Sequence, residues 1–230
     1  MTGEMRPASL CTEAEIQAMY ALMEAHYDNT DPAVFRRDLH DKDYVLLLHE
    51  GGEIVGFTTQ KLVTVPMNGR KVQGVFSGDT IIRRDLWGDT ELFRTWAQFW
   101  FPYAEAHGEL YWFLICKGYK TYRILPLFWR EFYPSRREET PAEMQEIMDA
   151  YATQLYPDDY NPQTGVIEYR HTKDRLRSGI ADIDEKQLRH PDTAYFAERN
   201  PGHAKGNDLV CLARIDRACM RPQTERILFG

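Results

Sequence analysis

The sequence has few cysteines and no long apolar run. Its four cysteines, Cys11, Cys116, Cys211 and Cys219, form no Cys-x-x-Cys pair, so a reduced, cytoplasmic protein is expected. No apolar stretch approaches the roughly 20 residues that a membrane-spanning helix needs, and the polar start does not resemble a secretory signal. The seven histidines are dispersed, without the spacing of a zinc site, so we expect no metal.

Positive charge is also scarce. The chain has 28 Lys and Arg against 35 Asp and Glu, which gives a net charge of −7 over 230 residues. An acidic chain of this kind is not typical of nucleic-acid binders, and we expect no nucleic-acid partner. The sequence also contains no Walker loop, no glycine-rich dinucleotide turn and no Gly-x-Ser-x-Gly elbow. These absences leave an ordinary globular protein with 43% hydrophobic and 13% aromatic residues.

The first half of the sequence predicts two helices followed by three strands. Thr12 to Glu15 has the pattern of a capping box, and apolar residues then recur at helical spacing. Asp31-Pro32 is typical of the start of a second, short helix. Short β-rich segments separated by turns then predict an antiparallel meander over 44–49, 54–65 and 72–82.

The next segments alternate between aromatic helices and one apolar strand. Asp89 to Gly108 predicts a long helix with a buried aromatic stripe. Leu110 to Cys116 is almost wholly apolar, so we expect a central strand parallel to the strand before the helix. A second aromatic helix is predicted over about 119–132, and a last strand over 209–215.

These elements indicate an α+β fold, with a mixed, mostly antiparallel sheet flanked by helices. We predict a core over 1–134, a mostly helical insertion over 135–205, and a C-terminal segment over 206–230 whose strand completes the core sheet. The charged insertion has two candidate roles, which the sequence leaves open: it covers the acceptor site, or it pairs two subunits as a homodimer.

The segment from Val75 to Thr90 has the order strand, basic loop and helix start. Free N–H groups at a helix N-terminus, together with Arg83 and Arg84, would form an anion site. The alternative is a solvated turn, since Asp85 and Asp89 offset part of the positive charge.

The order of elements resembles the GNAT superfamily of N-acyltransferases over about residues 6–134. In that family the loop after the strand carries Arg/Gln-x-x-Gly-x-Gly/Ala and binds the pyrophosphate of coenzyme A. Here Gly88-Asp89-Thr90 stands in place of Gly-x-Gly/Ala, while Asp85 stands where Arg or Gln is expected. The resemblance thus implies a divergent member with a degraded motif. The residues implied to hold the donor are Ile81, Ile82, Arg83, Arg84, Trp87, Gly88, Asp89 and Thr90.

The resemblance also implies a mechanism. The strands on either side of the long helix would splay, and an acyl-pantetheine thioester would lie in the gap while a small-molecule amine attacks it. Asp79 stands near where family members place an acidic base, with a bulge or surface position as the structural alternative. Phe128 occupies the usual position of the tyrosine acid, so Tyr122 is the preferred substitute, with a core role as its alternative.

The donor and the acyl group have several interpretations. The resemblance implies a coenzyme A thioester or an acyl-phosphopantetheine on acyl carrier protein, an acidic partner that Lys117, Lys120, Arg123 and Arg130 could contact. Clustered aromatics either form core or line a channel for a long acyl chain; they are Trp96, Phe99, Trp100, Trp112, Phe113, Phe128 and Trp129. Two rivals to amine acylation stay open: a non-catalytic thioester-binding or scaffolding protein, and an acyl carrier that uses Cys116.

Overall fold

A mixed β-sheet lies at the centre of the computed structural model, which describes residues 1–67 and 69–230. The strands are β1 (Thr2–Pro7), β2 (Tyr27–Asp28), β3 (Tyr44–Glu50), β4 (Glu53–Met67), β5 (Arg70–Ile82), β6 (Leu110–Cys116), β7 (Phe132–Tyr133), β8 (Tyr160–Asn161), β9 (Val166–Ile167), β10 (Arg175–Leu176) and β11 (Asp208–Arg214). The helices are α1 (Glu13–His26), α2 (Pro32–His40), α3 (Glu91–His107), α4 (Tyr119–Tyr122), α5 (Ile124–Phe128), α6 (Ala142–Leu155), α7 (Glu185–Leu188), α8 (Pro191–Arg199) and α9 (Pro222–Phe229).

The main sheet has the order β1-β3-β4-β5-β6-β11-β9-β8, with β7 also paired to β11. Neighbouring strands of this sheet are antiparallel except β5 and β6, which are parallel and joined through α3. This arrangement confirms the predicted fold class, a mostly antiparallel mixed sheet with flanking helices. The Thr12–Glu15 capping box is likewise present at the start of α1.

Alternating side chains give the sheet two buried faces. On one, which we call the α3 face, Val75, Trp112 and Cys116 pack with residues of α3, α4, α5 and α9. On the other, which we call the α1 face, α1 and α2 cover β3 to β5, and α6 covers β4 and β11. The space between α1 and α6 on this second face is where the cavity described below lies.

Several elements differ from the prediction. The single helix expected over 119–132 is two short helices, α4 and α5, with Phe132 in a strand. Arg123 ends one helix and begins the next, and Pro126 lies in the first turn of α5, where its missing N–H costs nothing. The strand β1 and the helix α9 were not anticipated from the sequence.

The segment 135–205 is also less helical than expected. It contains α6, α7 and α8, but also β8 and β9, which extend the main sheet beyond β11. Because β11 lies between β6 and β9, the last strand is internal to the sheet. The short strand β10 is not part of the main sheet; it pairs with β2, which directly follows α1.

Candidate active site

The strands β5 and β6 separate before either of them ends. Their pairing runs from Gln73–Leu110 to Ser77–Leu114, whereas β5 continues to Ile82. Beyond that point the two strands are no longer paired with each other: β5 continues to pair with β4, and β6 continues to pair with β11. The sheet therefore opens between Gly78–Ile82 and the end of β6.

A β-bulge coincides with the start of this opening. The β4–β5 register pairs Gln60 with Ser77 but Thr58 with Thr80, so Thr59 stands opposite both Gly78 and Asp79. A bulge bends its strand and re-aims side chains, and here both bulged residues line the cavity. Position 78 requires glycine, because a Cβ added to Gly78 would lie 2.6 Å from Thr59 Oγ1.

A buried hydrogen-bond network supports the bulge. Gln60 Oε1 accepts from Ser77 Oγ at 3.0 Å and from Trp96 Nε1 at 3.0 Å, while its Nε2 donates to Thr58 Oγ1 at 2.9 Å. Two further contacts complete the network: the Thr58 and Thr80 hydroxyls lie 2.8 Å apart, and Trp112 Nε1 donates to Ser77 Oγ at 2.8 Å. The fully buried Gln60 amide thus ties together the residues on both sides of the bulge.

A cavity of about 480 Å³ lies beside the opening. The end of α1, the helix α2, the divergent parts of β5 and β6, and residues of the segment 169–174 form its wall. Its apolar lining includes Met23, Val34, Phe35, Phe76, Leu114 and Ile115. Its polar lining includes Asp31, Arg37, Asp38, Lys42, Asp79, Lys117, His171, Lys173, Asp174 and Asp208.

Asp79 is the predicted base, and the structure places it in the cavity wall. Burial, followed by the nearby Asp38 and Asp174 charges, raises the pKa of Asp79 from 3.8 to about 6. Lys42 and Lys173 oppose this shift only in part, and within residues 1–67 and 69–230 the carboxylate has no hydrogen bond or ion pair. An unpaired carboxylate with a pKa near neutrality is suited to accept a proton.

Two tyrosines that sequence reasoning missed share this cavity. Tyr27 follows α1 directly, and Tyr156 follows α6; each has a half-buried side chain. Burial first, and then nearby carboxylates that include Asp79, raise the pKa of both phenols well above their usual value. In the described part of the chain neither hydroxyl has a hydrogen-bond partner, so both can donate to a ligand. Helical periodicity gave no signal for them, because it explains a tyrosine equally well as core.

An ion-pair cluster closes one side of the cavity. Lys117, which follows β6, lies 3.0 Å from Asp174 and 3.6 Å from the buried Asp208, and Tyr169 donates to Asp208 at 2.7 Å. Lys173 contacts the same Asp174 at 2.9 Å. Because three of these residues belong to the segment 135–205, that segment forms part of the cavity wall.

The loop 83–90 does not present the expected anion site. The Arg83 guanidinium is engaged by Glu50 and Asp85, at 2.7 Å from each. At the start of α3 the Asp89 carboxylate already accepts from the backbone N–H of Glu91 at 2.7 Å. An internal carboxylate therefore occupies the place where a phosphate would bind.

The other predicted donor-binding residues also lie outside the cavity lining. Ile81 is buried against α1, and Ile82 packs on the α3 face. Trp87 Nε1 donates to the Ile82 carbonyl at 2.8 Å, and its ring lies 3.5 Å from Lys120 Nζ. Gly88 adopts a φ of 101°, and the Thr90 side chain does not cap α3; Arg84 is exposed.

Tyr122 is not at the cavity. It is fully buried on the α3 face, and its hydroxyl donates to the Pro134 carbonyl at 3.0 Å. The structure thus places Tyr122 beside α8 and outside the cavity lining: its ring lies 5.8 Å from that of Phe196.

Cys116 does not suit an acyl-carrier role either. The thiol is fully buried, and burial, with Cys211 beside it, raises its pKa well above the usual value. A thiolate is the nucleophilic form, so this environment disfavours the chemistry. The cation expected to activate it, Lys117, is paired with Asp174 and Asp208 instead.

The aromatic cluster is core. None of the seven aromatics proposed for an acyl channel lines the cavity. Trp96, Trp112 and Trp129 pack together on the α3 face, with ring centroids 4.8 to 6.3 Å apart.

Replacing Tyr122 by phenylalanine tests its structural role. We expect Tyr122→Phe to lose about 1 kcal/mol of unfolding free energy, because the Pro134 carbonyl loses a buried donor. Urea denaturation measures that change. The acyl-transfer rate that the sequence resemblance implies should stay within about twofold of wild type, since a typical acid or base contributes about 100-fold or more. A rate loss of about 100-fold with unchanged stability would show that Tyr122 acts in catalysis.

Two kinds of feature are absent from residues 1–67 and 69–230. No helix there has both the length and the apolar character to cross a bilayer. No group of three or more His, Cys, Asp or Glu side chains there is arranged to hold a metal ion.

Comparison with known proteins gives likenesses only at the level of solved structures. No family model matches the chain, and no curated protein matches it. A probable N-acyltransferase from Enterococcus faecalis is 14% identical with a TM-score of 0.41, over 57% of this chain and 33% of its own. N-myristoyltransferase of Saccharomyces cerevisiae, with bound myristoyl-CoA, is 12% identical with a TM-score of 0.38, over 50% of this chain and 31% of its own.

A third likeness is to a GNAT family acetyltransferase from Brucella melitensis in complex with acetyl-CoA. It is 11% identical with a TM-score of 0.35, over 48% of this chain and 74% of its own. Each likeness covers about half of this chain. This chain spans about a third of the first two structures, and the ligands named belong to those proteins.

Proposed function

We propose that this protein is an acyltransferase that moves an acyl group from a pantetheine thioester to an amine. The observation that supports it most is the position of Asp79: a carboxylate without a partner among the described residues, on a bulge at the point where β5 and β6 separate. The gap offers space for a thioester arm, and the carboxylate lies beside it, where a base could act. Tyr27 and Tyr156, whose hydroxyls also lack partners among the described residues, complete the set of groups that such a transfer uses.

The proposed reaction has three proton transfers. The ammonium group of the acceptor gives a proton to Asp79, and the free amine nitrogen attacks the thioester carbonyl carbon. A backbone N–H of the bulge, outside the regular ladder, stabilises the resulting oxyanion. The C–S bond then breaks as the amide forms, and the leaving sulfur takes a proton from Tyr27. The Tyr27 phenolate in turn takes the second proton of the amine nitrogen, which leaves a neutral amide, a free thiol and a protonated Asp79. We assign this role to Tyr27 because Asp79 is the carboxylate that most strongly affects its pKa.

The donor is best explained as a phosphopantetheine arm presented by a carrier protein. Coenzyme A needs a site for its pyrophosphate, but Arg83 and the start of α3 are neutralised by carboxylates of this chain. Arg84 and Lys120 are exposed at that loop, where Lys120 contacts Trp87, and Arg123 is exposed three residues after Lys120. The Arg84 charge adds to burial in lowering the pKa of Lys120. An acidic carrier domain would relieve the repulsion between these cations.

The acyl group is best explained as a short one. The cavity of about 480 Å³ must hold the acyl group together with the acceptor. The tryptophans expected to line a channel for a long chain pack against one another on the α3 face and do not line this cavity.

Release of free thiol tests the proposal. Acetyl or butyryl thioesters of coenzyme A and of acyl carrier protein are mixed with the protein and a primary amine, and thiol is followed with a chromogenic disulfide. We expect amine-dependent release with the carrier-protein donor and less with the coenzyme A donor. Thermal stabilisation by a thioester without thiol release would contradict catalysis and favour the binding-protein alternative.

A further inference from the structure

Almost every charged side chain of the cavity has a partner within the chain. Lys42 Nζ lies 2.6 Å from an Asp38 carboxylate oxygen. The Lys117 cluster engages Asp174, Asp208 and Lys173 as described above. Asp31 accepts from the backbone N–H of Val34 at 2.8 Å, at the start of α2. The lysines of the cavity are thus engaged by carboxylates of the chain, and the Asp31 carboxylate caps α2.

Two charged side chains of the same cavity differ from the rest. Within residues 1–67 and 69–230, neither Asp79 nor Arg37 has a hydrogen bond or an ion pair. Asp79 is half-buried on β5, and Arg37 is exposed on α2, at the rim. The neighbouring Arg36, by contrast, turns away from the cavity and pairs with Glu13 through both guanidinium nitrogens.

The wall beside these two charges is apolar. Met23, Phe35 and Phe76 are buried residues of this lining, and Val34 adds an exposed apolar side chain next to the rim. A ligand that bridges the two charges would therefore place a hydrocarbon segment against this surface.

We propose that the acceptor is a zwitterion: a primary amine whose hydrocarbon chain also bears a carboxylate or a similar anion. Its ammonium group pairs with Asp79, and its anionic group pairs with the Arg37 guanidinium, which suits planar oxyanions through two parallel hydrogen bonds. This inference rests on the proposed function for the role of Asp79, and it adds the acceptor class. A plain alkylamine satisfies only one of the two charges.

Binding in the absence of any donor separates this inference from the proposed function. The probes are glycine, β-alanine, γ-aminobutyrate and ε-aminocaproate, each compared by titration calorimetry with the alkylamine of the same carbon number. We expect one amino acid of the series, set by the distance between the charges, to bind roughly tenfold more tightly than its alkylamine, the gain of one charge-assisted pair at a solvated rim.

Two neighbouring arginines give a matched pair of variants. Arg37→Gln should lower the affinity for the preferred amino acid to about that of the alkylamine in the wild type. Arg36→Gln makes the same change of charge one residue away on the same helix and should leave the affinity unchanged. Asp79→Asn should weaken binding of the amino acid in the wild type and in both arginine variants.

Three results would overturn the inference. They are equal affinity for amino acids and alkylamines in the wild type, an equal loss in both arginine variants, and no binding of any probe. If the preferred amino acid binds as described but is not acylated by any thioester, the proposed function fails while the binding inference stands.

Discussion

Asp79→Asn is expected to abolish most of the acyl transfer while leaving the fold intact. An asparagine keeps the shape of the side chain but cannot accept the proton of the ammonium group. A general base typically contributes about 100- to 10,000-fold, so kcat/KM for the amine should fall by that order. Steady-state thiol release at saturating donor measures the loss.

The pH dependence of transfer identifies the same group. Because the base acts in its ionised form and its pKa is about 6, the wild-type rate should rise with pH through about 6 and then level off. The rate of the Asp79→Asn variant should not show this rise, which is the acidic limb of the pH profile. A residual rate near wild type, with the limb retained, would exclude Asp79 as the base.

The stability of the same variant provides the control. The folded protein binds the Asp79 proton more tightly than the unfolded chain does, because folding raises the pKa from 3.8 to about 6. Stability contributed by this group therefore falls as pH rises between those values. Asp79→Asn should remove that fall and be at least as stable as wild type at neutral pH, so unfolding cannot explain its lost activity.

Gln60→Leu is expected to destabilise the protein by about 3 kcal/mol and to move the pKa of Asp79 towards its ordinary value. Leucine occupies a similar volume but leaves buried hydrogen-bonding groups of Ser77, Trp96 and Thr58 without their partner. Without the Gln60 bridge the bulge relaxes, and the Asp79 carboxylate becomes more hydrated. Urea denaturation gives the first quantity, and carbon-detected NMR titration of the aspartates gives the second.

Tyr151→Phe is the matched control for this prediction. The Tyr151 hydroxyl is buried on the α1 face and donates to the Leu114 and Cys211 carbonyls, at 3.1 and 2.6 Å. Its loss should also destabilise the protein, but it should leave the pKa of Asp79 unchanged. If both variants shift that pKa equally, the effect is one of general loosening and Gln60 has no specific role. Ser77→Ala, which removes one contact of the network, offers a milder test should Gln60→Leu fail to fold.

The fold could be predicted from local patterns because each main element carries its own signal. The capping box at Thr12–Glu15 marks α1, and the apolar run of β6 predicts a central strand with a parallel neighbour, which is β5. Such signals depend on hydrophobic burial and backbone capping, and a segment of about ten residues is enough to recognise either pattern. The strand β1 was missed because its sequence is half polar, as suits an edge strand.

The site could be predicted only in part, because it depends on distant pairings. Because Asp79 lies on the strand before α3, the sequence could predict that it stands beside the opening. That it forms no ion pair with Lys42 or Lys173 could not be predicted, because those lysines pair with Asp38 and Asp174 instead. Tyr156 reaches the cavity because α6 covers β4, a contact across some 90 residues of sequence that no local pattern encodes. The pairing of Arg83 could not be predicted for the same reason, since its partner Glu50 lies on another strand.

The measurement that tests the central proposal most directly is a crystal structure with a non-hydrolysable thioether analogue of an acyl-phosphopantetheine. We expect the analogue's arm to lie between Gly78–Thr80 of β5 and Leu114–Lys117, with the carbonyl next to the bulge and the acyl end beside Asp79. An analogue bound elsewhere, or β5 and β6 found paired beyond Ser77 and Leu114 with the cavity closed, would contradict the proposal.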